Sequence, residues 1–127
     1  MSNLTIELNW QLGSDELAYG KYKTDHKIKI NDEITLNGGS APDYGGSQNN
    51  LNPEQALAAA ISSCHMMTFL AFAAKLKWPV LSYSDKANAF LGKNSDQKMF
   101  VNKIYIVVVL VFSHLISQIP DAIGRNG

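Results

Sequence analysis

Residues 5–11, TIELNWQ, alternate apolar and polar positions, the period-two pattern of a half-buried β-strand. Residues 13–16, GSDE, read as a turn. Residues 17–30 predict one or two further strands, with Ile28 and Ile30 on a shared face. Residues 31–33, NDE, turn the chain into a third strand at 34–36. Alternation then stops. Residues 37–50, NGGSAPDYGGSQNN, are rich in Gly, Ser, Asn and Pro, and a loop of this length in a compact domain is more often functional than a mere connection.

The next segment, NPEQALAAAISSCHMMTFLAFAAK at 52–75, predicts one long helix. Asn52 suits the cap, Pro53 the first helical position, and Gln55 the reciprocal third position. Lys75 and Lys77 favour the negative end of the helix dipole, and Pro79 stops continuation. The segment is apolar nearly all round, which predicts burial on most sides. So small a chain has little material to surround such a helix, and a partner subunit would supply the rest.

Residues 80–92 predict a strand, 93–97 (KNSDQ) a hairpin turn, and 98–112 a second strand whose continuous apolar end suggests a central place in a sheet. Residues 113–127 lack periodicity and are interrupted by Pro120. Strands, long helix, strands predicts an α+β fold, an antiparallel sheet packed on a long central helix. The whole, 1–127, reads as a single domain with an atypical or truncated end from about residue 113.

Composition narrows the function. Hydrophobic residues make up 46% of the 127 and charged residues only 17%, below the usual ~25%. Formal net charge is zero and Arg125 is the one arginine, which argues against nucleic acid, a partner that demands a basic footprint. No basic segment precedes an apolar run at the N-terminus, and one cysteine allows no internal disulfide, so a cytoplasmic protein is expected. Residues 56–74 carry no Asp, Glu, Lys or Arg and meet the length of a membrane span. Ser62, Ser63, Cys64, His65 and Thr68 crowd their centre, and polar groups are costly in hydrocarbon, so a core helix without a membrane is expected.

Cys64 admits two readings. On a helix its neighbours are Ala60, Ile61, Met67 and Thr68, a face on which a small thiol can be plain packing. It can also be a nucleophile, which must react as thiolate and needs a nearby cation, because the helix N-terminus lies too far away. His65 follows directly and does not face the thiol. Cys64, His65, His26 and His114 show no ligand spacing, so no metal is expected.

The helix with its flanks closely resembles the OsmC/Ohr family, the osmotically inducible and organic-hydroperoxide-resistance proteins. The resemblance rests on Asn52-Pro53-Glu54, on Cys64 ten residues after Glu54, and on Cys64-His65-Met66 and Thr68-Phe69-Leu70. SAPDYGG ahead of the helix, and SYSDKANAFLGK with VVVLVF after it, extend the resemblance over about residues 19–112. It implies an intertwined dimer and a thiol-dependent peroxidase that reduces organic hydroperoxides. The helix cysteine would attack the O–O bond, become a sulfenic acid, and be returned by thiol chemistry. It carries Cys64 over as nucleophile and Glu54 as acidic partner.

Ten helical residues separate Glu54 from Cys64 by about 15 Å. Either the helix breaks between them, or Glu54 of one chain meets Cys64 of another across a two-fold axis. QALAAAISS contains no Gly or Pro to break it, so the dimer is favoured. Two departures stand out. Thr24 occupies the place of the family's thiolate-supporting arginine, leaving Lys21, Lys23 or His26 as partial substitutes. The family's second, resolving cysteine has no counterpart, so an external thiol or dithiol would be the reductant, with no other cofactor. His65 and Thr68 are candidate walls of the site. The expectation is therefore a homodimer that reduces hydroperoxides through one cysteine. The alternative is a non-catalytic dimer of this fold binding a small apolar ligand, or an inactive relative.

Overall fold

The structure is a computed structural model that describes residues 3–113, so His114, Pro120 and the rest of the expected atypical end lie outside the described residues. The chain divides into two compact units, Met1–Ala56 and Leu57–Gly127, with the long helix α1 (Pro53–Lys75) beginning in the first and continuing in the second.

In the first unit, β1 (Glu7–Asn9), β2 (His26–Lys29) and β3 (Thr35–Gly38) form an antiparallel sheet in the order β1-β2-β3. Leu8 stands opposite Ile28 and Ile28 opposite Leu36, so three aliphatic side chains make one cross-strand row. Asn9, Lys27 and Asn37 make the polar row beside it. The strands are shorter than alternation predicts. β1 is only 3 residues, and most of 17–25 is turn and irregular chain, with a left-handed Gly20 at φ 77° and Lys21 N–H bonded back to the Ala18 carbonyl. β3 starts one residue later than expected and runs two further, because Gly38 and Gly39 are drawn against Leu51. Gly39 N–H donates to the Leu51 carbonyl at 3.1 Å and Leu51 N–H to the Asn37 carbonyl at 2.8 Å, which closes the neck of the loop.

Inside that loop a 3-10 turn, Pro42–Tyr44, ends on left-handed Gly45, whose N–H caps the Pro42 carbonyl. Gly46 then folds back, its N–H bonding the Ala41 carbonyl at 3.1 Å. A Cβ at Gly46 would sit 1.6 Å from the Ser40 carbonyl oxygen, so only glycine fits. α1 opens on the capping box expected of Asn-Pro-Glu-Gln. Gln55 N–H donates to Asn52 Oδ1 at 2.8 Å, and Asn52 N–H donates to Gln55 Oε1 at 3.2 Å.

In the second unit α1 ends in a Schellman motif. Trp78 N–H reaches the Ala73 carbonyl at 2.9 Å and Lys77 N–H the Ala74 carbonyl at 3.2 Å, with Lys77 in the left-handed region at φ 57°. The chain leaves through Pro79 into β4 (Val80–Lys93), which pairs antiparallel with β5 (Met99–Phe112). Asn94 organises the turn between them, its side-chain oxygen accepting from the N–H groups of Asp96 and Lys98. Register shifts at 80–82 and 90–91 mark bulges in the hairpin.

The α+β class and the antiparallel arrangement are as the pattern predicts, with two sheets among the described residues, of three and two strands, in place of one. β5 was expected at the centre of a sheet. Among the described residues it pairs with β4 alone, so its other edge is free. Its apolar run reflects two faces: Ile104, Ile106, Val108 and Leu110 are half-buried, while Tyr105, Val107, Val109 and Val111 are exposed.

Candidate active site

In the first unit, Thr24, just before β2, and His26, which opens it, stand with the loop residues Ser40 and Tyr44 around Glu54 in the first turn of α1. They line a cavity of about 260 Å³. Thr24 Oγ1 accepts from both Ser40 N–H (3.0 Å) and Ser40 Oγ–H (2.9 Å), so the position where a cation was sought is a hydroxyl fixed by the loop. His26 Nδ1 lies 2.7 Å from the Thr24 carbonyl, which can only accept, so Nδ1 carries the proton. Gly38 is paired with His26, and a Cβ there would lie 2.5 Å from His26 Nε2, which explains the glycine. Glu54 Oε2 is buried and has no hydrogen-bond partner. Lys23 does not line this cavity; its backbone carbonyl accepts Trp10 Nε1–H at 2.8 Å.

In the second unit, Cys64 is exposed. It lines a shallow cavity of about 370 Å³ with Met67, Thr68, Ala71, Phe72 and Lys75, the i, i+3, i+4, i+7, i+8, i+11 series of one helical face. The thiol is therefore not core filler within the chain. Lys75, three turns further on, is the cationic side chain on that face.

His65 takes another direction. Its Nδ1 lies 2.9 Å from Tyr83 Oη on β4, and Ser62 Oγ–H donates to Asp85 Oδ2 one turn earlier. Phe69 continues this stripe, its ring 5.9 Å from Tyr83 and 6.1 Å from Trp78. Ser62, His65 and Phe69 thus hold α1 to the hairpin, while Cys64, Met67, Thr68 and Phe72 face away. Partial burial raises the Tyr83 hydroxyl above its ordinary range, and the hydrogen bond and negative charge of Asp85 push the same way.

The helix runs unbroken from Pro53 to Lys75, so of the two routes that could join Glu54 and Cys64, a break in α1 is absent. Ser40, Tyr44, Tyr83 and Asp85 were not singled out from sequence. The first two lie in the loop marked as functional by its length. The last two lie in SYSDKANAF, where nothing local announces a helix partner some twenty residues back. Among the described residues no group of three His, Cys, Asp or Glu side chains is placed to hold a metal ion.

A family model described as OsmC-like protein matches residues 45–122. Among solved structures, an OsmC-like protein of unknown function from Vibrio cholerae O1 biovar eltor is 33% identical with a TM-score of 0.80. The match covers 89% of this chain and 77% of that one. No curated protein sequence matches. The chain belongs to the OsmC-like family, and its fold, one long helix with antiparallel sheets, is that family's.

Proposed function

We propose that this protein reduces organic hydroperoxides through Cys64, as a homodimer, in defence against oxidative stress. The observation that carries the reading is a single thiol standing exposed on an apolar helix face beside Met67, Thr68 and Phe72, a surface suited to an alkyl hydroperoxide. The Cys64 thiolate attacks the distal oxygen of R–O–O–H. An S–O bond forms, the O–O bond breaks, and the alkoxide leaves and takes a proton as R–OH. Cys64 is oxidised by two electrons to a sulfenic acid. An external thiol then condenses with it, releasing water, and a second thiol opens the mixed disulfide, since no other cysteine occurs in these 127 residues.

The dimer is supported by what the chain leaves uncovered. Ala58 and Ala73 are the only buried apolar residues among those described, while Met67, Phe72 and Ile61 on α1 are 60%, 58% and 42% exposed. With α1 unbroken, a two-fold arrangement is the route by which Glu54 of one protomer would serve Cys64 of its partner. By length and composition α1 could cross a membrane. Its bonds from Ser62 and His65 to β4 support a helix seated on its own hairpin instead. Zero net charge supports the absence of a nucleic-acid partner.

The test is direct. With excess cumene hydroperoxide, Cys64 should gain one oxygen by mass spectrometry, react with a sulfenic-acid trap, and return on adding a small thiol. An unmodified thiol would overturn the reading. A second reading, a non-catalytic dimer that binds a small apolar ligand, is favoured by one observation: an open apolar cavity of about 440 Å³ lined by Leu8, Trp10, Leu17 and Tyr22. Retention of the hydroperoxide intact, with quenching of Trp10 fluorescence, would select it.

A further inference from the structure

The surface of α1 is apolar nearly all round, so burying apolar area against the hairpin gives little preference among rotations of the helix about its own axis. Polar contacts make the choice. Ser62 Oγ–H donates to Asp85 Oδ2, and both side chains are half-buried. His65 Nδ1 lies 2.9 Å from Tyr83 Oη. Asp85 also draws the Tyr83 hydroxyl hydrogen, which leaves Oη to accept from His65 Nδ1–H. Two side chains of α1 and two of β4 thus form one polar chain within the second unit. Each helical residue advances about 100°, so Ser62, His65 and Phe69 stand about 160°, 100° and 140° around the helix from Cys64.

The neighbouring rotations show which contact decides. Turned forward by one position, α1 would set Ser63 on Asp85, Met66 on Tyr83 and Leu70 in place of Phe69. Turned back by one, it would set Ile61 on Asp85, the Cys64 thiol on Tyr83 and Thr68 in place of Phe69. Ser63 is as good a donor as Ser62, so the bond to Asp85 does not by itself exclude the forward turn. Met66 has no donor for Tyr83 and Cys64 only a weak one, so His65 excludes both. We infer that His65 and Tyr83 are positioning residues for Cys64: their hydrogen bond, seconded by Ser62 and Asp85, sets the rotation of α1 that presents the thiol beside Met67, Thr68 and Phe72 and keeps it off the hairpin. Its bearing on peroxide reduction rests on the reading proposed above. Its bearing on the exposure of the thiol does not.

The experiment is the rate of alkylation of the native full chain by iodoacetamide, which reports on Cys64 alone because the 127 residues hold no other cysteine. His65→Leu should slow alkylation at least about threefold, as the population spreads over the neighbouring rotations. Tyr83→Phe, close to isosteric, should slow it in the same direction, and the double variant should be no slower than the slower single one, since both remove one bond. His65→Asn, whose amide N–H stands near the place of Nδ1–H, should keep the wild-type rate. The sign separates positioning from a merely structural part, because lost stability opens the fold and speeds alkylation. Unchanged or faster alkylation in both His65→Leu and Tyr83→Phe would overturn the inference, as would a His65→Asn rate equal to that of His65→Leu. Slowed alkylation in the variants, with a wild-type thiol inert to cumene hydroperoxide, would uphold the positioning and sink the peroxidase reading. Normal peroxide reduction with alkylation unchanged in the variants would do the reverse.

Discussion

At the scale of single residues the chemistry turns on Cys64, Glu54 and Thr24. Thr24 holds the position from which a guanidinium would reach Glu54, but its hydroxyl is tied to Ser40. Thr24→Arg gives up those two bonds and brings a permanent cation to the carboxylate. In the proposed dimer this should raise alkylation of Cys64 and peroxide consumption at neutral pH by about tenfold, equivalent to ~1.4 kcal/mol. Stopped-flow peroxide assays would check this, and Cys64→Ser should abolish the reaction in either background. Tyr83 offers a test by pH. Its raised hydroxyl means the folded chain holds that proton more tightly than the unfolded chain. The associated stability is complete below the unfolded value near ~10 and is lost as pH rises through the raised folded value. Denaturant midpoints of wild type should therefore fall above about pH 10 relative to Tyr83→Phe, and equal slopes would contradict it.

At the scale of elements, helix boundaries were legible because capping is local. Asn, Pro and Gln at 52, 53 and 55 make the capping box that their order predicts. Asn52→Ala should cost about 1–2 kcal/mol by urea denaturation, and Asn52→Asp only a fraction of that. The C-terminus holds a correctable strain. Lys77 sits in the left-handed region, where an L-residue with a side chain costs about 1 kcal/mol. Lys77→Gly should stabilise by about 0.5–1 kcal/mol, a midpoint gain of roughly 2–4 °C, because the Schellman bonds to Ala73 and Ala74 stay. The hairpin was equally readable, since KNSDQ separates two long β-patterned runs. The N-terminal strands were overextended. Alternation in 17–30 marks a preference for extended chain, but only Lys27, Ile28 and Lys29 find partners on both sides, with His26 paired to Gly38 alone.

At the scale of the whole molecule, exposed apolar surface sets the expectation of association. Phe72 and Met67 beside Cys64, and Val107 and Val109 on β5, are all more than half exposed. Light scattering over a dilution series should find a dimer at micromolar concentration. Phe72→Asp should weaken it at least about tenfold, roughly the energy of one large apolar side chain left in water. A folded monomer throughout would overturn the dimer and, with it, the service of Glu54 to a partner's thiol.

The sequence by itself determined the order and kind of the elements, the helix caps, the hairpin turn and the family. Each depends on residues within a few positions of one another, or on a motif whose spacing survives in one dimension. It did not determine which side of α1 faces the hairpin. A helix apolar nearly all round has no preferred face, so Cys64 as packing, the reading its Ala/Met neighbours favour, and Cys64 as exposed thiol were both compatible with it. Tertiary structure decided that, by pairing Ser62 with Asp85 and His65 with Tyr83 and leaving Cys64 on the opposite side. It decided also that Thr24 answers to Ser40, 16 residues along the chain, while the buried oxygen of Glu54 answers to no donor at all among the described residues. Both are consequences of where a folded loop brings its atoms, and no local pattern encodes them.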